Sequence, residues 1–119
     1  MEKEVLLKKI KEAGVVGAGG AGFPTHIKLN NSAEFFIINI AECEPLLKVD
    51  QQLAYRFAKE IVDTALIIKK VINAKMVYLA IKKKYKDAIE TLTKLTSNLT
   101  EIKLFYLLNL HYHTLNHYE

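Results

Sequence analysis

Tryptophan is absent from this 119-residue chain, cysteine occurs once, and glycine is missing from every position outside the window 14 to 22. Each shortage excludes something. A single thiol, Cys43, can close no disulfide within the chain and build no four-cysteine zinc or iron–sulfur site. With no tryptophan, and only Tyr85 set within the main lysine run, the sequence shows no stacking platform of the kind that binds single-stranded nucleic acid. The 17 Lys and Arg exceed the 13 Asp and Glu by a formal charge of +4. That excess is spread over lysine pairs and the run Lys82-Lys83-Lys84-Tyr85-Lys86, which reads as a solvated surface rather than a nucleic-acid footprint. No apolar run suits a signal peptide or a membrane span, so cytoplasmic residence is expected and the sequons at Asn30 and Asn98 are chance matches.

Half of the residues are hydrophobic, enough for one domain with a respectable core. Residues 2 to 13 place Val5, Leu6, Ile10 and Ala13 on one helical stripe, and Gly14 supplies a stop. A short helical turn through His26-Ile27-Lys28-Leu29 follows Pro24. Glu34 to Asn39 reads as a buried strand, too short for a buried helix. A long helix is expected from Asp50, as N-cap, to about Asn73, with Leu53, Phe57, Ile61, Ala65, Ile68 and Ile72 inward. Lys75 to Ile81 forms a second strand, Lys84 to Asn98 a helix through Ala88, Ile89, Leu92 and Leu95, and Ile102 to Leu107 a third strand. Alternating strands and helices imply right-handed crossovers and a parallel sheet. The fold expected is α/β, a Rossmann-like βαβαβ three-layer parallel sheet, truncated, with an N-terminal helix and a glycine-rich loop. Residues 1–107 make the domain and 108–119 an atypical tail.

The glycine window demands a site, because glycine costs backbone entropy wherever it is not needed for positive φ or for close approach of a ligand. Gly17-Ala-Gly19-Gly20-Ala-Gly22 satisfies G-x-G-x-x-G, yet the dinucleotide fingerprint requires a strand before it and a long helix after it. Here a helix precedes and Pro24 follows. The Gly-Lys-Ser/Thr ending of a nucleotide-triphosphate loop is also missing. What remains is a backbone nest for an anion, with Lys28 supplying charge, or a plain flexible turn. The second constellation, Asn39-Ile40-Ala41-Glu42-Cys43-Glu44-Pro45, stands at the carboxyl end of the first strand, where open α/β sheets bind ligands. Its carboxylates and amide suit sugar hydroxyls or a heterocycle edge. Cys43 reads as a small buried hydrophobe, since adjacent carboxylates disfavour a thiolate. His111, His113 and His117 stand in a terminal tail with only Glu119 near them, a pattern of low specificity, so no metal ligand is assigned.

Taken together, Gly17-Ala-Gly-Gly-Ala-Gly-Phe-Pro-Thr-His-Ile-Lys28 and Ala41-Glu-Cys-Glu-Pro-Leu-Leu-Lys-Val-Asp50 resemble the flavin/NADH-binding domain found in the C subunit of Rnf-type electron transport complexes. Similar stretches occur in the cobalamin reductase of propanediol utilisation and the electron-transfer protein associated with proline reductase. A more distant likeness is to the NADH-binding flavoprotein subunit of complex I. The resemblance implies non-covalent FMN and a hydride passed from NADH to the flavin. Carried over, Gly17, Gly19, Gly20 and Gly22 line the cofactors, Lys28 approaches FMN, Asn39 and Glu42 hold the flavin side, and Phe23 and Glu44 face NADH. It also implies other subunits or domains of an electron-transfer complex as partners, and a place peripheral to a membrane complex. Iron–sulfur clusters would belong to other domains or partners.

Some positions depart from these patterns. The complex I relative has arginine at Ala18, glycine at His26 and aspartate at Ala41, while Ile40 stands where a small residue is common and is expected to crowd the cofactor. Family members are several times longer, and residues 111–119 match nothing in them. A shortened product, a shifted reading frame and an artificial boundary all fit that ending. With no cluster cysteines the chain alone is expected to be inactive in turnover and at most a weak flavin binder. The rival expectation is a non-enzymatic remnant or assembly domain, self-associating through an exposed sheet edge.

Overall fold

A computed structural model describes residues 2–17, 21–41 and 49–107, with the side chains of 49–51 excepted. Helix α1 (Lys3–Glu12) comes first, then the single turn α2 (Thr25–Lys28) and strand β1 (Phe35–Asn39). Helices α3 (Val49–Arg56) and α4 (Ala58–Val71) lead to strand β2 (Met76–Lys82), and helix α5 (Lys86–Thr96) leads to strand β3 (Ile102–Leu107). The three strands form one parallel sheet in the order β1-β2-β3. This is the α/β architecture expected of alternating strands and helices.

Connections that advance the same way across a sheet with the same hand put their helices on the same face, and burial bears this out. Along β2, Val77, Leu79 and Ile81 have no exposed surface and pack with Ala54, Ala58, Val62, Ala65, Ala88 and Leu92 of the three long crossover helices. The alternate residues of the sheet look the other way, where Ile37 is 62% and Phe105 55% exposed. The described residues therefore build the sheet layer and one helical layer. A smaller cluster of Leu29, Val71, Ile72 and Ala74 receives Leu6, Leu7 and Ile10, which ties α1 and α2 to the end of α4.

Both α1 and α4 end in the same hydrogen-bonded motif. In α1, Gly14 N–H donates to the Lys11 carbonyl and Val15 N–H to the Ile10 carbonyl, with Gly14 at φ +70°. In α4, Asn73 N–H donates to the Lys70 carbonyl and Ala74 N–H to the Lys69 carbonyl, with Asn73 at φ 56°. These are the paired bonds of a Schellman ending, which needs a left-handed residue just past the helix.

Three expectations are corrected. The long helix is two helices, because Phe57 leaves helical geometry at φ −118°, ψ 31°. Asp50 lies inside α3, which starts at Val49, so it is not the N-cap. The inward stripe is Ala54, Ala58, Val62 and Ala65, while Leu53 is 46% and Phe57 48% exposed. Alanine has no side chain beyond Cβ, so these turns can lie close against the sheet, which the larger residues one position away would prevent. In α5, likewise, Thr96 is buried and Leu95 is not. The Thr96 hydroxyl donates to the Leu92 carbonyl at 2.8 Å, which satisfies it inside the core.

Candidate functional site

The described ends of the glycine loop are clipped together by backbone alone. Val16 and Pro24 form an antiparallel bridge, Gly17 N–H donates to the Phe23 carbonyl at 2.9 Å, and Thr25 N–H donates to the Val15 carbonyl at 3.2 Å. Gly22 turns the chain back with φ +64°. Among the described residues, a Cβ added there would meet the Gly17 oxygen at 3.8 Å and a Val16 methyl at 3.9 Å. Those are ordinary contacts, so the backbone angle, not crowding, is what calls for glycine at this position. Gly19 and Gly20 lie outside the described residues.

Beyond the clip, Pro24 opens α2, and a shallow cavity of about 400 Å³ is walled by Phe23, Ile27, Lys28 and Asn31. Phe23 is 56% exposed, so its ring is open at the mouth of this cavity. Asn31 donates its amide to the Lys28 carbonyl at 3.1 Å and to the Ile27 carbonyl at 3.4 Å, closing the end of α2. Its carbonyl oxygen remains as an acceptor. An apolar ring, an ammonium with three donors and an amide oxygen in one shallow cavity suit a ligand that is both aromatic and anionic. That is the chemistry of a flavin phosphate, so the donor set fits FMN.

Of the residues singled out in the sequence, Phe23 and Lys28 are brought together. Asn39 is elsewhere, on the last residue of β1, and it is not among the walls of that cavity. Its side-chain oxygen accepts from Ala41 N–H at 2.9 Å, shaping the exit of the strand and leaving the amide as a donor. Glu42, Cys43 and Glu44, with His111, His113 and His117, lie outside the described residues. Ile40 does not behave as expected. It is 4% exposed, packs in the helix-side core, and donates its N–H to the Ala80 carbonyl at 2.7 Å. Sequence reasoning missed Ile27 and Asn31 as cavity walls. An asparagine just past a short helical turn was the available signal for the second.

A parallel α/β sheet preceded by a helix-fed, backbone-clipped glycine loop defines a cofactor-binding domain outside the ordinary dinucleotide pattern. The particular kind follows from comparison: residues 10–115 match the family described as the Nuo51 FMN-binding domain, and the chain belongs to that family. The domain that defines the family binds FMN. The match runs past Leu107. The chain is 44% identical over 95 residues to the cobalamin reductase PduS of Salmonella typhimurium, covering 80% of this chain and 21% of that protein. It is 40% identical over 95 residues to the C subunit of the ion-translocating oxidoreductase complex of Rhodobacter capsulatus, covering 76% of this chain and 18% of that protein. Among solved structures, an NAD+-reducing [NiFe]-hydrogenase superposes with a TM-score of 0.67 at 26% identity, covering 90% of this chain and 20% of that one. The chain thus spans about a fifth of the length of these relatives. Among the described residues no helix is long and apolar enough to cross a membrane, and no cluster of three metal-ligating side chains occurs.

Proposed function

We propose that this chain is the FMN- and NADH-binding part of an electron-transfer flavoprotein, with the glycine loop and the end of β1 as two sides of one cofactor site. The observation that carries the reading is the clipped loop, with Gly22 at φ +64° and Phe23 and Lys28 exposed beside it, in a chain of an FMN-binding family. Gly17, Gly19, Gly20 and Gly22 would line the cofactors. Lys28 would hold negative charge on FMN, Asn39 and Glu42 would hydrogen-bond the flavin side, and Phe23 and Glu44 would face NADH. When bound, FMN supplies the capacity to accept a hydride and release electrons singly. The chain's own share is position and electrostatics. The relatives named as a reductase and as a subunit of an oxidoreductase complex support partners that take the electrons onward.

Titration of FMN with the folded chain, followed by flavin fluorescence, tests the binding claim. The expected result is quenching that saturates with a dissociation constant of about 0.1 to 1 mM, weak because part of the site lies in other segments. No response at millimolar protein, with far-UV circular dichroism showing a folded chain, refutes it.

A further inference from the structure

The side-chain nitrogen of Asn31 lies 3.1 Å from the Lys28 carbonyl oxygen and 3.4 Å from that of Ile27. Main-chain carbonyls only accept, so the amide must turn its NH2 toward them, and this settles where its oxygen is. With its donors engaged at the end of α2, the side chain offers the cavity an acceptor and nothing else. No described side chain or main-chain N–H meets that oxygen. Lys28, on the same cavity, can only donate. The two walls therefore make opposite demands. A bare anion satisfies Lys28 and is repelled by the Asn31 oxygen, whereas a ligand that satisfies both carries a hydrogen-bond donor beside its anionic group.

We propose that Asn31 is a specificity-determining residue, accepting a hydrogen bond from a chain hydroxyl next to the phosphate that Lys28 holds, so that the cavity selects a polyol phosphate over an alkyl phosphate. The inference rests on the FMN reading above, in which that group is the ribityl phosphate. In FMN the chain hydroxyls lie beside the phosphate, while the ring N–H is at the far end of the molecule, so a hydroxyl is the donor within reach of both residues. The glycine loop cannot draw this distinction. Main-chain N–H groups donate, and they reward an anion whatever chain carries it. An acceptor set beside the donors is what discriminates, because a ligand without the hydroxyl leaves it unpaired. Asn31 is exposed, so the preference is about fivefold, the weight of one ordinary net hydrogen bond.

The test titrates the full chain with FMN and with the analogue whose ribityl chain is replaced by a phosphopentyl chain, which keeps the ring, the length and the phosphate but lacks the hydroxyls. Flavin fluorescence reports both. The parent is expected to prefer FMN by about fivefold, and Asn31→Ala to bind the two alike. Asn31→Asp keeps acceptor oxygens and loses the donors that close α2, so it weakens both ligands by its charge and retains the preference. Lys28→Ala also weakens both and retains it. No preference in the parent, a preference that survives in Asn31→Ala, or its loss in Asn31→Asp overturns the proposal, the last because Asn31 would then act only through the end of α2. Each of these leaves FMN binding by the parent standing. Failure of the parent to bind FMN at all refutes the FMN reading and this inference with it.

Discussion

Replacing Gly22 by alanine separates the backbone demand of the loop from everything else at the site. A side chain at φ +64° costs roughly 1–2 kcal/mol, and the nearest described atoms to the new Cβ, at 3.8 and 3.9 Å, add no clash. Alanine recovers about 0.4–1 kcal/mol by restricting the unfolded chain, so the net strain is about 1 kcal/mol. The loop can shed that strain by opening its clip, the Val16–Pro24 bridge and the bond from Gly17 N–H to the Phe23 carbonyl. Any ligand that needs the clip closed must then bind about fivefold more weakly, the equivalent of about 1 kcal/mol. Gly14→Ala is the control, because it has the same sign of φ, open space around it, and a place in the ending of α1 rather than in the loop. It should lower the melting temperature by about 4 °C for about 1 kcal/mol and leave FMN affinity within about twofold. Thermal unfolding and FMN titration on both variants decide the matter. If Gly22→Ala melts and binds FMN like the parent, or if Gly14→Ala weakens FMN as much, the loop does not work through this left-handed residue.

The sheet with one bare face makes two core predictions at matched chemistry. Leu79→Ala, on the central strand with no exposed surface, should cost about 3–4 kcal/mol in urea unfolding, whereas Ile37→Ala on the bare face, 62% exposed, should cost under about 1 kcal/mol. Equal losses would mean that both faces are covered. At the ending of α4, Asn73→Ala should destabilise by about 1 kcal/mol, and Asn73→Gly should match or exceed the parent, because the residue sits at φ 56°. A more stable alanine variant would rule out the left-handed ending.

The strands were legible because each is a compact block of β-branched and aromatic residues with no competing helical period. Ile102–Leu107 lies where it was expected, and the order of elements implied the parallel sheet. The crossover helices were legible as helices and in part of their facing: Ala65, Ile72, Ala88 and Leu92 are buried as expected, whereas Leu53, Phe57 and Ile61 were expected where the packing uses Ala54, Ala58 and Val62, one position further on. Close approach to a sheet rewards small residues, and a hydrophobicity scale takes no account of closeness. Thr96 was passed over for the same reason in reverse, since its hydroxyl is polar on a scale but satisfied by the Leu92 carbonyl in the helix. The Lys28–Phe23 pairing was foreseeable because a single turn of helix keeps both beside the loop. Its relation to Asn39, across a whole strand, is a tertiary matter that local pattern does not contain.

The glycine window, which looked like one signal, divides into separate requirements. Gly14 and Gly22 share a left-handed backbone, at φ +70° and +64°, yet their hydrogen-bonding settings assign them different work. Gly14 sits where the carbonyls of Lys11 and Ile10 need donors at the end of α1, a role that α4 fills with asparagine. It would be there in a protein with no ligand at all. Gly22 supports no helix end. It lies inside a loop whose neck is held by main-chain bonds at Gly17, Phe23, Val15 and Thr25, so side chains at the neck are free to vary without loosening it. The left-handed backbone explains Gly22 without any ligand. The proposed cradle of Gly17, Gly19, Gly20 and Gly22 therefore rests on their density in one loop of an FMN-binding family, while Gly14 is explained as a helix stop.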